Sequence, residues 1–228
     1  DLNKTGEDSR KYAGDGNRAY VTGLRMGGRN ILVLLDTPGS MLDSSIVNVI
    51  RRRNMRDERK RTAPKWLRAL NTVSWLSAKF PNNSQFQLYT FNTETRAAIP
   101  ESKGQWLKVG DKVQLDRAIK NMKNTVPEKG TNLENAFKAA SQLRPLPDNI
   151  YLITDGLPTK GSKSTRGATI SGKQRLNLFE RALKTLPKGV PVNVIMFPME
   201  GDPLAAKAFW QLSWITNGSF MSPSEDWP

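Results

Sequence analysis

Asn30-Ile-Leu-Val-Leu-Leu-Asp36 and Asn149-Ile-Tyr-Leu-Ile-Thr-Asp155 are the two stretches on which the fold turns. Each is a short apolar run that ends in an aspartate. A strand with one wet face alternates apolar and polar side chains; a run without alternation reads as a strand covered on both faces, as in a parallel sheet between helix layers. Outward from these, Gln85–Phe91 alternates as a strand should, Arg96–Ile99 follows a turn and reads as a short antiparallel neighbour, and Val190–Phe197 and Gly218–Met221 supply further strands. A short strand at Ala19–Thr22 is expected in the polar lead-in. Between the strands the apolar spacing becomes helical. One helix is expected with Thr62 as its cap, Pro64 in its first turn and a stripe of Trp66, Leu67, Leu70, Val73 and Leu76. Others are expected at Asp111–Lys123 (Val113, Leu115, Ile119, Met122), Thr131–Leu143 (Leu133, Ala136, Phe137, Ala140), Lys173–Leu186 and Asp202–Ile215. Strands alternating with helices call for an α/β domain: a mostly parallel central sheet, one short antiparallel strand, and helices on both faces. The organisation read from this is a lead-in at 1–28, one domain at 29–222 with a basic insertion at 41–61, and a tail at 223–228.

Composition narrows the function. The 228 residues, 37% hydrophobic and 25% charged, suffice for one domain with its own core. Cysteine is absent, which excludes disulfides, zinc–thiolate sites, iron–sulfur clusters and a cysteine nucleophile. Histidine is absent too, which removes the commonest general base and every Ser–His or Cys–His pair. Together these argue against a hydrolase of ordinary type. The net charge is +14, and such a field attracts acidic surfaces and polyanions. The excess is concentrated in Arg51, Arg52, Arg53, Arg56, Arg59, Lys60 and Arg61, and more loosely in Lys160, Lys163, Arg166, Lys173 and Arg175; the plain reading of such runs is a solvated face. No run of 18 apolar residues exists, so no transmembrane segment is read in the sequence. A chain that starts with Asp1 and shows no signal peptide reads as a piece of a longer protein.

In open parallel sheets, ligands gather beyond the carboxyl ends of the strands. Asp36 and Asp155 both fall there. Three segments then line up: Asp36-Thr-Pro-Gly-Ser40-Met41, Gly130-Thr131-Asn132-Leu133 and Thr154-Asp155-Gly156. Their order, spacing and context resemble von Willebrand factor A domains of bacterial type, over about residues 28–222. That family carries Asp-x-Ser-x-Ser on one loop, a Thr on a second and an Asp on a third, which together form its metal-ion-dependent adhesion site. The resemblance implies a Rossmann-like three-layer fold and a protein-interaction module for adhesion or assembly rather than an enzyme. It implies Mg²⁺ or Mn²⁺ held by the hydroxyls of Ser40 and Thr131, with Asp36 and Asp155 binding directly or through water, a chemistry suited to a hard cation. Pro38 departs from the pattern: it stands where the first serine would and has no side-chain oxygen, so the implied site is degenerate and its ion weakened. The implied partner is a protein with an acidic residue at the contact, met by Pro38, Arg51, Arg52, Arg53, Lys160 and Lys163. The implied compartment is extracytoplasmic, periplasmic or cell-surface, with any membrane anchor in a segment outside this sequence.

Read by themselves the same residues have plainer roles. Thr131 with Glu134 spells a helix capping box, Ser40 suits a cap before Met41, and Asp155-Gly156 is an ordinary end of a strand. Two other classes of function stay open: an assembly domain with a relic site, motivated by Pro38, and a polyanion-binding domain, motivated by the charge. Nucleotide chemistry does not fit. Asp36-Thr-Pro-Gly39 has no phosphate loop upstream, and Gly167–Lys173 is followed by Gln174 where a phosphate loop needs Ser or Thr. A phosphotransferase nucleophile at Asp36 would need an acid at Pro38. Trp66, Trp75, Trp210 and Trp214 are expected to pack in the core, and the basic block at 51–61 contains no aromatic residue, so specific nucleic-acid binding has no support.

Overall fold

The computed structural model describes residues 18–19, 23–162, 170–224 and 227. The strand Asn30–Asp36 (β3) is central: it pairs in parallel with Gln85–Phe91 (β4) on one side and with Asn149–Thr154 (β7) on the other. Val192–Met196 (β8) and Phe220–Met221 (β9) extend the parallel sheet beyond β7. On the opposite edge Thr95–Ala97 (β5) runs antiparallel to β4, as expected, and a two-residue piece, Leu107–Lys108 (β6), also pairs antiparallel with β4. The order is therefore β5-β4-β3-β7-β8-β9, with the chain departing from β3 in both directions. Arg18–Ala19 (β1) and Arg25–Met26 (β2) form a separate antiparallel pair, so the strand expected at 19–22 begins one residue earlier, and residues 20–22 lie outside the described ones.

Burial on both faces explains why β3 and β7 lack alternation. Ile31, Val33 and Leu35 face the layer of Pro64–Ser77 (α3) and Lys112–Lys123 (α4), against Trp66, Leu70, Val73, Leu115 and Met122. Leu32 and Leu34 face the layer of Leu133–Gln142 (α5), Gly172–Leu183 (α6) and Ala205–Ile215 (α7), against Phe137, Phe179 and Phe209. All five of these β3 residues are 0% exposed. Each fully buried aliphatic side chain contributes about 1.5–3 kcal/mol, so the central strand is among the most strongly held elements. The segment between β3 and α3 is not a plain excursion. It contains a 3₁₀ turn at Gly39–Leu42, a helix Ile46–Arg53 (α1) capped by Ser45, and a short helix Asp57–Arg61 (α2).

Several local expectations need correction. Thr62 does not cap α3; it ends α2, its hydroxyl donating to the Arg59 carbonyl, and Ala63 precedes α3 with Pro64 in the first turn. Thr131 does not cap α5. Asn132 does, accepting from the Asn135 N–H, which frees the Thr131 hydroxyl for another partner. Ser40 caps nothing; Pro38 precedes the 3₁₀ turn and makes no side-chain cap bond. Leu67 and Val113 are exposed, at the margin of stripes whose buried members are Trp66, Leu70, Leu115 and Met122. Trp210 and Trp214 are exposed at 53% and 70%, because α7 buries Ala205, Ala208, Phe209 and Leu212 instead. Trp66 is fully buried as expected, and Trp75 lies partly buried against the ring of Trp227.

Candidate functional site

The switch in strand order lies at β3, between β4 and β7, and the carboxyl ends of β3 and β7 bring Asp36 and Asp155 to one rim. Both are buried, 0% and 1% exposed. The Asp36 carboxylate accepts from Thr131 Oγ1 (3.2 Å to Oδ1, 3.1 Å to Oδ2) and from Thr154 Oγ1 (2.7 Å). Ser40 Oγ donates to Asp155 Oδ1 at 3.0 Å. The four residues singled out in the sequence, Asp36, Ser40, Thr131 and Asp155, thus converge although up to 119 positions separate them. Burial, and after it the charge of Asp155, pushes the Asp36 carboxyl well above the usual carboxylate range, against the opposing hydrogen bonds from Thr154, Thr131 and the Thr37 backbone.

Backbone bonds position the loops. Thr37 N–H and Oγ1 both donate to the Phe91 carbonyl, anchoring the turn after β3 to β4. Gly39 N–H donates to the Lys129 carbonyl, so the loop after β3 is tied to the loop before α5. The Thr131 carbonyl accepts from Thr159 and Lys160 N–H, and Thr131 N–H donates to Thr159 Oγ1. Pro38, buried, keeps an extended backbone (φ −74°, ψ 169°) and presents no donor or acceptor side chain.

One residue at this site was not singled out in the sequence. Lys65, the second residue of α3, sends its ammonium into the rim: Nζ lies 2.7 Å from Asp155 Oδ2, 3.1 Å from the Ser40 carbonyl and 3.2 Å from the Asp43 carbonyl, with Met199 Sδ at 3.7 Å. Its side chain is 2% exposed. Helical spacing held the signal, since Lys65 occupies the buried face with Ala69, Thr72 and Leu76, but lysine is not scored as a core residue.

The basic residues divide. Arg53 is exposed and its side chain lies over Gly39, within 3.4 Å of where a Cβ would be. Lys160 is exposed beside Gly130. Arg51 is exposed on α1. Arg52 turns inward and its Nε is 3.0 Å from Asp43 Oδ2. Burial acts to raise the Asp43 carboxyl, but Arg52 with the Ser44, Ser45 and Asn48 donors outweighs it and holds it low. Lys163 lies outside the described residues, as do residues 167–169 of the stretch 167–173.

A divalent ion requires a donor set that the residues supply only in part. Oxygens that are neighbours in an octahedron around Mg²⁺ lie about 3 Å apart, so the Ser40–Asp155 and Thr131–Asp36 separations suit either a hydrogen bond or shared ligation. The charge balance decides against the ion. Two carboxylates face the site, one is already paired with the Lys65 ammonium, and Pro38 removes one hydroxyl ligand. Among the described residues no group of three or more His, Cys, Asp or Glu side chains is gathered. As it stands the arrangement does not fit a divalent ion.

Glu134, in the first turn of α5, fastens the neighbouring loop. Its Oε2 accepts from Ser162 N–H at 3.3 Å and its Oε1 is 2.7 Å from Lys138 Nζ. Lys138 and then Ser162 hold the carboxyl down, from 4.5 to about 2. A depressed folded-state value stabilises the protein above the unfolded value and ceases to do so as pH falls through the folded one. Glu134→Gln should therefore cost on the order of 1–2 kcal/mol at neutral pH, discounted for the half-exposed Lys138, and the difference should shrink between pH 4.5 and about 2. Urea melts of both proteins across that range check this; a pH-independent difference would contradict it.

An open sheet wound in both directions from a central strand, with buried carboxylates and hydroxyls at its carboxyl rim, defines a class of α/β domain whose ligand site is built by the loops. The chain belongs to the von Willebrand factor type A domain family: the family's sequence patterns match residues 31–157 and 162–211. No curated protein matches the chain in overall sequence. Among solved structures it is similar to a von Willebrand factor type A protein from Catenulispora acidiphila (13% identity, TM-score 0.53, 88% of this chain and 39% of that one). It is also similar to proximal thread matrix protein 1 from the mussel byssus (18% identity, TM-score 0.51, 87% and 44%). An aerotolerance-related membrane protein from Bacteroides fragilis matches with 14% identity and TM-score 0.49, over 86% and 92%. The chain spans about two fifths of the length of the first two, and at these identities the likeness is one of fold.

Proposed function

We propose that this domain is a protein-interaction module, not an enzyme, that receives an acidic group of a partner protein at the rim formed by Asp36, Ser40, Thr131 and Asp155. The observation that carries the reading is the meeting of those four residues beneath exposed cations, Arg53 over Gly39 and Lys160 beside Gly130. Cations at the edge of a contact act chiefly by steering and by excluding wrong partners. Arg51 belongs to the same contact; Arg52, paired with Asp43, contributes less than its neighbours. Binding of Mg²⁺ or Mn²⁺, the finer chemistry common to this class, is not part of the proposal, because the ammonium of Lys65 already neutralises Asp155. An extracytoplasmic location, which the family resemblance implies, is proposed with it. No helix among the described residues is long and apolar enough to cross a membrane.

The test compares Arg53→Glu/Lys160→Glu with the parent chain against immobilised peptides that each present one Asp or Glu in a neutral context, with heparin as control. The peptide affinity of the double variant is expected to fall at least about tenfold at low salt. Heparin binding that dominates, collapses with salt and ignores Asp155→Asn would instead support the polyanion reading. A second reading, an assembly domain whose rim binds nothing, is favoured by Pro38; it predicts no peptide affinity in either protein.

A further inference from the structure

We infer that Lys65 is the resident cation of this site: its ammonium joins the rim loops in the way a divalent ion would, so that the site is assembled without metal. The inference rests on the rim geometry and not on whether a partner docks there. An ammonium has three N–H donors and no acceptor. Here three oxygen acceptors meet it, Asp155 Oδ2 and the carbonyls of Ser40 and Asp43, all within 3.2 Å. They come from two different loops, those after β7 and β3, and the Met199 sulfur adds a contact from a third, the loop after β8. Asp155 in turn uses its other oxygen for Ser40 Oγ. One carboxylate and one ammonium thereby close a ring around Ser40 that holds both its side chain and its backbone.

Two local rules are broken to place this group. Lysine is almost never fully buried unless paired, and a cation in the first turn of a helix opposes the partial positive charge of the helix N-terminus. Lys65 does both, immediately after Pro64. Such violations concentrate where a specific arrangement is being held. The same placement accounts for the tolerance of Pro38. A magnesium site that loses a serine ligand loses part of its shell, whereas a rim organised by an ammonium needs no oxygen from position 38. Hard divalent ions also need net negative charge from their ligands, and the Lys65–Asp155 pair leaves the rim with only Asp36 to supply it.

The experiment follows the intact chain by thermal unfolding in EDTA and in millimolar MnCl₂, with free Mn²⁺ read by electron paramagnetic resonance. The parent is expected to melt within about 1 °C in the two solutions and to take up no Mn²⁺. Lys65→Met, which keeps most of the apolar stem and removes the charge, should melt about 10 °C lower in EDTA and recover part of that in MnCl₂. The recovery should vanish in Lys65→Met/Asp155→Asn. Submillimolar Mn²⁺ uptake by the parent that Asp155→Asn abolishes would overturn the inference. So would a Lys65→Met protein that melts like the parent, or one that is destabilised but gains nothing from Mn²⁺, since the lysine would then not stand in an ion's place. Should Lys65→Met not fold, the resonance titration of the parent decides alone: uptake refutes, absence of uptake supports. No readout involves a partner, so the peptide-binding proposal and this one can fail separately.

Discussion

Asp155→Ala should lower stability by about 3–5 kcal/mol, a fall in melting temperature of about 6–20 °C for a chain of this size. The substitution deletes little apolar surface, so the loss does not come from packing. It comes from what is left behind: the Lys65 ammonium, 2% exposed, keeps two carbonyls but loses its counter-charge, and Ser40 Oγ loses its acceptor. A small opposing effect exists, because the charge of Asp155 is one of the influences raising the Asp36 carboxyl; without it Asp36 ionises more easily. The decisive comparison is a double-mutant cycle in EDTA. Removing one partner of a buried pair strands a charge, whereas removing both by apolar groups of similar shape is often close to neutral. Lys65→Met/Asp155→Leu should therefore be more stable than Asp155→Ala, although it carries one more substitution. Urea denaturation of the parent, Lys65→Met, Asp155→Leu and Lys65→Met/Asp155→Leu measures the coupling. If the double variant is the weakest of the set, or if Asp155→Ala costs under about 1 kcal/mol, the pair does not hold the rim together.

The fold was legible because its deciding strands are buried on both faces. Ile31–Leu35 and Ile150–Ile153 are 0% exposed throughout, and only continuous apolar runs satisfy that. The rim was legible in part, because carboxylates at the ends of such strands have few other reasons to follow them. What the periodicities could not tell was direction. Trp210 and Trp214 are four residues apart, which places them on one face of α7 but does not say which face turns inward; Ala208, Phe209 and Leu212 share the other and win the core. Thr131 and Glu134 spell a capping box, yet Asn132 one position later takes the cap, leaving Thr131 to Asp36 and Glu134 to the Ser162 loop. Lys65 was invisible for a different reason. Its role depends on Asp155, 90 positions away, and on two backbone carbonyls, neither of which a local pattern encodes. A lysine sharing the face of Ala69, Thr72 and Leu76 was the only trace of it in the sequence.

Gly218→Ala should also cost about 3 kcal/mol or more, and for a reason unrelated to the rim. A Cβ at this position would meet the Val192 carbonyl and its carbon far inside contact distance, and the Val192 nitrogen at 2.9 Å. All three are backbone atoms of a strand residue that is 0% exposed, so no side chain can rotate away. Relief requires moving the chain between α7 and β9 outward. That movement strains the bond from Gly218 N–H to the Ser213 carbonyl and the bonds that Ser219 N–H and Oγ donate to Asn193 Oδ1, and it pulls β9 from β8. Gly189 is the control. Its φ is +74° and nothing lies within 4 Å of its missing Cβ, so Gly189→Ala carries only the backbone penalty of about 1 kcal/mol. Urea melts of the two variants separate close approach from conformational freedom: equal losses would mean that β8 yields, and that the edge of the sheet is softer than its burial implies. Because β8 reaches the rim through Phe197 N–H, which donates to the Thr154 carbonyl, and Thr154 Oγ1 supports Asp36, a softened edge would weaken the site as well as the core.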